Sequence, residues 1–461
     1  MRVLRIAAPW LCAACLASPA RGADAAARAE EPDRFELSAE GETYIEVFRR
    51  ALLPGAAGSL VETDTALPIH QYVHVRARDV DTSWKKDALD VELAAYGRLW
   101  PGDSETERLL DGDVQVANVG YQHDGFELRL GRQVHAGGAA RYVRYDGLSL
   151  GARFGFGLSV EAYGGLTALP RFDARPGYHH LGAAQDTLIR DPDVLPEPTR
   201  TGHRLGGGRV SYSAHRGALG ISFHEQHEEG ELAHRNLGAD GRLVPFDELT
   251  LAGSSVLDLD GQGIADARLW ADVAATQRLD LSAEYLHAEP ALYLSRQSVL
   301  SVFSTDAYDE AGARVSVRPL DALAVTGGSW VSIYDNEQQG GRGQLALRLT
   351  PGRARLTVVG LSYTRLVAVD NGYHSARASL AQRIAGALSG TLEAHAFFYD
   401  EEISGRSTST VYAGTLSYAF SRALNVLWGT SVARSPYASF DAQTLLRASY
   451  AFDASNHGEP L

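Results

Sequence analysis

Histidines and carboxylates concentrate in one stretch, HEQHEEGELAH, His224 to His234. The spacing H-x-x-H, here His224 and His227, ligates a metal when a helix turns both onto one face. On a strand the two point to opposite faces, and a structural metal site needs a fixed tetrahedral set. The stretch therefore reads as solvated rim residues, with no metal expected. Cys12 and Cys15 make the C-x-x-C spacing of thiol redox chemistry. Both lie in an N-terminal stretch that reads as a leader, where no folded site forms; lipid attachment at Cys15 is the other use of such a residue. The chain has no H-E-x-x-H and no phosphate-cradling P-loop. Serines and histidines are plentiful but nothing in the sequence pairs them. No catalytic residue and no cofactor is expected, and the chain is not expected to be an enzyme; a hydrolase assembled on one wall of the fold is the lesser alternative.

The bounds set by composition agree with this. The chain has 461 residues, 45% of them hydrophobic, and a net charge of −14. Basic residues are almost all Arg, with Lys only at Lys85 and Lys86. Such an acidic balance argues against nucleic acid as a partner. Residues 1–22 read as a cleaved signal peptide: Arg2 and Arg5 start it, Ile6 to Ala17 is its apolar core, and Ala20-Arg21-Gly22 is a small-x-small cleavage site. Its loss removes three arginines and takes the charge to −17. Residues 23–40 read as a flexible lead-in. Beyond the leader, no run approaches the roughly 18 apolar residues that a membrane helix needs.

The elements that must position any site are strands. Period-2 alternation recurs along the chain. In FELRLGRQV, Phe126, Leu128, Leu130 and Val134 oppose Glu127, Arg129 and Gln133. In LDLSAEYL, Leu279, Leu281, Ala283 and Tyr285 oppose Asp280, Ser282 and Glu284. In IHQYVHVRAR, Ile69, Val73, Val75 and Ala77 oppose His70, Tyr72, His74, Arg76 and Arg78. One set of connections is short and alike: YQHDGF, GARFGF, SAHRGAL, ATQRLDL, VRPLDAL, LTPGRARL, QRIAGAL and AFSRALN. Connections of variable length alternate with them, and Leu166 to Gly202 and roughly His227 to Gly263 read as long ones. One trimmed end and one elaborated end is the asymmetry of outer-membrane barrels. The expected fold is all-β, a transmembrane antiparallel up-and-down β-barrel of about 20 strands, with 18 as the alternative. GETYIEVFRR, Gly41 to Arg50, supplies the first strand, and a helix over Thr43 to Leu53 is its competing reading. The barrel would occupy residues 41–452 and a polar tail residues 453–461. The last strand ends in SYAF, Ser449 to Phe452, with Leu446, Ala448, Tyr450 and Phe452 on its apolar face and Arg447 and Ser449 on the other.

These features, together with LRLGRQV and ARYVRYDGLSLGA between Leu128 and Ala152, resemble a bacterial outer-membrane porin-type barrel. The resemblance covers roughly residues 67 to 452. In typical members the terminal aromatic is the last residue, whereas here Asp453 to Leu461 follow it. It implies location in the bacterial outer membrane, insertion by the barrel-assembly machinery, contact with outer-membrane lipid, and passage of a small hydrophilic solute.

The expected function is passive diffusion through a water-filled pore tuned by inward charges. The pore-lining candidates are Arg76, Arg78, Glu127, Arg129, Asp266, Arg268, Asp272, Asp280, Glu284, Arg314, Arg318, Arg348 and Glu393. Their mixed signs argue against a strongly anion-selective pore; simple pairing across the wall is the plainer reading of each. The connection from Leu169 to Arg204 is long enough to be functional. Folded inward it would narrow the channel, with Arg171, Asp173, Arg175, His179 and His180 near the constriction; an external cap is the other reading. About 45 residues separate the leader from the first clear strand, too few for a plug domain, which argues against energy-coupled uptake. A plugged barrel serving as a surface binding scaffold is the alternative function.

Overall fold

The computed structural model describes residues 36–52, 62–80, 87–101, 110–168, 203–228, 230–293, 306–352, 356–369, 371–436 and 439–455. In chain order the first strands are β1 (Glu36–Leu52), β2 (Glu62–Ala66), β3 (Ile69–Val80), β4 (Asp87–Leu99), β5 (Leu110–His123), β6 (Phe126–Ala136), β7 (Tyr142–Arg153) and β8 (Leu158–Thr167). Then come β9 (Arg204–Ala214), β10 (Gly217–Glu228), β11 (Glu231–Phe246), β12 (Leu249–Asp258), β13 (Gly263–Thr276), β14 (Leu279–Ala288), β15 (Tyr308–Leu320) and β16 (Leu323–Tyr334). The last are β17 (Gln339–Leu349), β18 (Thr357–Val367), β19 (Tyr373–Ala385), β20 (Leu388–Ile403), β21 (Arg406–Ala419), β22 (Leu424–Arg434) and β23 (Asp441–Ser455).

From β3 to β23 each strand pairs antiparallel with the next in sequence, and β1 pairs with both β3 and β23. The sheet therefore closes on itself. The short β2 pairs with β1 alone, above the rungs that β1 shares with β3. Among the described residues the closed wall has 22 strands, not about 20 or 18. Strands about 4.8 Å apart and tilted about 40° would give a circular wall about 40 Å across, far too wide for side chains alone to fill.

The two missing strands are β11 and β12, in the stretch read from sequence as a long connection. Midway along them the outward positions are small: Ala239, Gly241, Gly253 and Ser255. Gly241 of β11 faces Gly253 of β12 on one rung. Leu219 and Leu269 lean over them from either side, with methyl carbons 2.6 Å from where each glycine's Cβ would sit. Without large apolar residues at every second position the alternation disappears, and G-A-D-G imitates a turn. Gly41 to Arg50 lies in β1, so the segment is strand and not helix. The β1–β23 ladder runs from Val47↔Thr444 to Glu36↔Ser455, so pairing starts before Gly41 and continues past Phe452.

The quoted short connections all fall where β1 starts and β23 stops. In YQHDGF the turn is Asp124-Gly125, both at positive φ (42° and 88°), the backbone a two-residue hairpin turn requires. One sheet face carries exposed large apolar residues, such as Leu219 (69% exposed) and Leu130 (62% exposed). The other face carries the polar set. There the Trp330 ring lies flat over Gly312 and Gly328, where a Cβ would fall inside it. Gly312→Val should cost about 1–3 kcal/mol through overpacking. The check is a shift in Trp emission and a lower melting temperature.

Candidate functional site

The polar face is the concave one, as a single segment demonstrates. Gly137–Arg141 links β6 to β7, yet it reaches strands three and more places round the wall. The Ala139 amide donates to Ser222 Oγ of β10 at 2.8 Å, and Asn236 Nδ2 of β11 donates to the Ala139 carbonyl at 3.3 Å. Arg141 Nη2 lies 2.7 Å from Asp266 Oδ2 of β13. A connection between neighbouring strands can do this only as a chord across the inside. Gly137 (φ 108°), Gly138 (φ 57°) and Arg141 (φ 55°) supply its turns. A Cβ at Gly138 would meet Ser222 Oγ, so the small residue permits the close approach. Ala140 of the segment packs with Val143, Tyr145, Tyr163 and Leu205 in a buried cluster. The His135 ring stacks on Tyr163 at 4.2 Å between centroids, and Tyr163 Oη lies 3.1 Å from His224 Nδ1.

Charges on this face are largely paired. Glu92 of β4 takes His74 Nε2 at 2.9 Å, Arg76 Nη2 and, at 3.5 Å, Arg129 Nη1. Arg129 also meets Glu127 at 3.0 Å, and Glu127 meets Arg153 at 3.4 Å. The chain of alternating charge therefore spans β3 to β7. It crosses β5 at Gly120, which shares a rung with Arg129. Further round, Arg209 grips the Asp240 carboxylate with both terminal nitrogens, lying across Gly220. His135 lies 3.2 Å from Glu161. Arg342 stacks over Trp330 at 4.3 Å and reaches Glu310 at 3.6 Å.

The sequence-predicted residues share this face. Arg76, Glu127 and Arg129 join the Glu92 chain. Arg78 lies 3.9 Å from Glu36. Asp266 holds the inward segment. Glu284 accepts from Trp330 Nε1. Arg318 bonds Asp280 at 3.2 Å, Arg314 bonds Ser282 Oγ at 3.1 Å, and Arg377 bonds Glu393 at 2.5 Å. Arg268, Asp272 and Arg348 stand on the same face by register. Arg171, Asp173, Arg175, His179 and His180 lie outside the described residues. His224 and His227 occupy opposite faces of β10, but His224 is 2% exposed and bonded to Tyr163, a correction to its reading as a solvated rim residue.

Sequence reasoning missed the inward segment, and with it Arg209, Asp240, Glu161 and Tyr163. The signal available was Gly137-Gly138-Ala139-Ala140 between two clear strands, a run too small to suggest a task. Its partners lie about 80 to 125 positions along the chain, and only barrel closure brings them together.

Register, inward chord and paired charges define the class: a closed antiparallel barrel with an apolar outside and a polar, ion-paired inside. No protein-family model matches the chain. No curated protein matches it either. Among solved structures, it is similar to Pseudomonas aeruginosa OccK9 (OpdG) at 12% identity and TM-score 0.44, covering 91% of this chain and 98% of that one. It is also similar to Acinetobacter baumannii OccAB4, at 9% identity and TM-score 0.42, covering 91% and 98%. A third similarity is to the translocation pore of the P pilus usher PapC, at 11% identity and TM-score 0.40, covering 91% and 99%. At such scores these likenesses add no weight to the architecture, which the unbroken register establishes by itself.

Proposed function

We propose that the chain is a porin-like channel of the bacterial outer membrane, passing small hydrophilic solutes by passive diffusion. The observation that carries the reading is the closed wall with exposed apolar residues outside and paired charges inside. In lipid, only helices and closed barrels satisfy their backbone hydrogen bonds. Among the described residues no helix is long and apolar enough to cross a membrane, so the strands are the crossing elements. The outer face supports the same orientation. Exposed Phe126, Phe246, Phe420 and Phe452 cluster toward the short-turn end, as interfacial aromatics do. Toward the long-connection end polar pairs join the outward positions, with Arg235 Nε on Glu225 at 2.8 Å and Tyr285 Oη on Asp309 at 2.6 Å. The lipid band lies between, and the long connections are external. Residues 1–22 are the cleaved leader and the barrel-assembly machinery the insertion partner. No catalytic step is assigned. Inside, the Gly137–Arg141 segment and the paired charges set the passage.

Purified protein in planar bilayers is expected to give discrete conductance steps, and proteoliposomes to swell in small sugars and amino acids. Electrical silence, with no swelling, would instead support a plugged barrel acting as a scaffold.

A further inference from the structure

The wall is not evenly sealed. The β5–β6 ladder runs only from His123↔Phe126 to Ala117↔Arg132. Beyond it, β5 continues to Leu110 paired with β4, and β6 continues to Ala136 paired with β7. Side chains fill the split. Arg132 Nη1 donates to the Val114 carbonyl at 2.9 Å and lies 3.4 Å from Asp113 Oδ1. Arg144 Nη2 lies 2.7 Å from Asp113 Oδ2, and Arg132 also holds Asp146 with bonds of 2.6 and 2.7 Å. The Asp113 and Arg144 side chains are 5% and 8% exposed.

The faces these residues occupy are the telling part. Asp113 shares a rung with Tyr96, which pairs with Tyr72 on the inner face. A register shift between Ala94 and Ala95 places it there. Arg132 shares its outward face with Leu130 and Val134, and Arg144 pairs with Val134. Inner carboxylate and outward arginines thus touch through the sheet, which intact hydrogen-bonded strands would prevent. The outer surface beside the split is apolar, with Leu110, Val114, Val134 and Leu166 exposed.

From this we propose that the β5–β6 seam above Ala117↔Arg132 is a lateral door between the lumen and the membrane, bolted by Asp113 with Arg132 and Arg144. The inference rests on the membrane reading above. The class of solute it serves is amphipathic: an apolar tail that enters lipid and an anionic head that takes the place of the Asp113 carboxylate on the two guanidinium groups. Moving Asp113 aside leaves Arg132 with Asp146 and the Val114 carbonyl and Arg144 with the Ala168 carbonyl, an excess of positive charge in a low-dielectric setting, so an anion is the natural replacement.

The test uses the full chain in the outer membrane of producing cells, with a fluorescently labelled dodecanoate as probe. In Asp113→Ala the bolt is gone while both guanidinium groups stay, and uptake is expected to rise about tenfold, the equivalent of one charge-assisted contact; the double variant Asp113→Cys, Arg144→Cys carries a thiol at each end of the bolt. Bridging the two thiols with a bifunctional thiosulfonate should lower uptake below wild type, and reductant should restore it. Ion conductance of the same protein should not follow these changes. Uptake that ignores the bridge, with conductance intact, overturns the door and leaves the channel; absence of conductance overturns the channel. If the double variant fails to fold, hydrogen exchange on wild type decides. Amides of Val114 to Val116 should exchange faster than those of Val119 to Gln122, and equal protection would sink the proposal.

Discussion

Asp266→Ala should convert one conductance level into two. Arg141 holds the inward segment to β13 through that carboxylate, and its other anchors are Ser222 and Asn236. The Arg141–Asp266 contact is charge-assisted, and such contacts contribute on the order of 1.5–3 kcal/mol. Losing it shifts the docked population about ten- to a hundredfold. The undocked segment no longer narrows the lumen, so a second, larger conductance level is expected in single-channel records. Asp266→Glu keeps the charge and should restore the single level in most recordings. A single unchanged level in the alanine variant would show that the segment does not shape the passage. Melting of the wall should move little, because Asp266 takes no part in the ladder through its side chain.

Gly41→Val should have the largest effect on assembly. The Tyr450 ring of β23 lies across Gly41 of β1, where a Cβ would fall within the ring. Its hydroxyl reaches β3, accepting a hydrogen bond from Gln71 Nε2 at 2.8 Å. One side chain therefore straps the last strand to the first and to the one beyond. A valine displaces the ring and removes that bond. Overpacking costs about 1–3 kcal/mol and the lost hydrogen bond about 1 kcal/mol. The expected result is a smaller fraction of folded, heat-modifiable protein on unheated gels and a lower melting temperature. Tyr450→Phe keeps the ring and should lose only the smaller amount. Folded yields equal to wild type in both variants would remove the strap from closure.

Much of this architecture is legible in the sequence because barrel strands carry a local signal. The alternation in FELRLGRQV and LDLSAEYL survives into β6 and β14, and the Asp-Gly turn sits where it must. Gly41 to Arg50, ambiguous between strand and helix, becomes β1 because β23 and β3 flank it. The signal fails where outward residues are small. At Gly241 and Gly253 the apolar cover comes from Leu219 and Leu269 on neighbouring strands, a fact invisible within β11 or β12 alone. The interior was legible only by face. Alternation places Arg129 inside, but which carboxylate it meets depends on register. The inward segment was illegible for the opposite reason: its anchors are backbone groups of small residues, and its partners are distant in sequence.

The pairing of interior charges has an electrical consequence. Arg209 with Asp240, Arg377 with Glu393 and Arg129 with Glu127 each place opposite charges within bonding distance. Seen from more than a few ångströms away, each pair is a dipole, and its field fades faster than that of a lone charge. Electrolyte screens what remains within about 10 Å at 0.1 M salt. A small ion crossing such an interior meets a patchwork of local fields with little net pull. Its current should then follow bulk conductivity closely across ionic strength, and dipolar molecules, able to align with successive pairs, should feel the wall most.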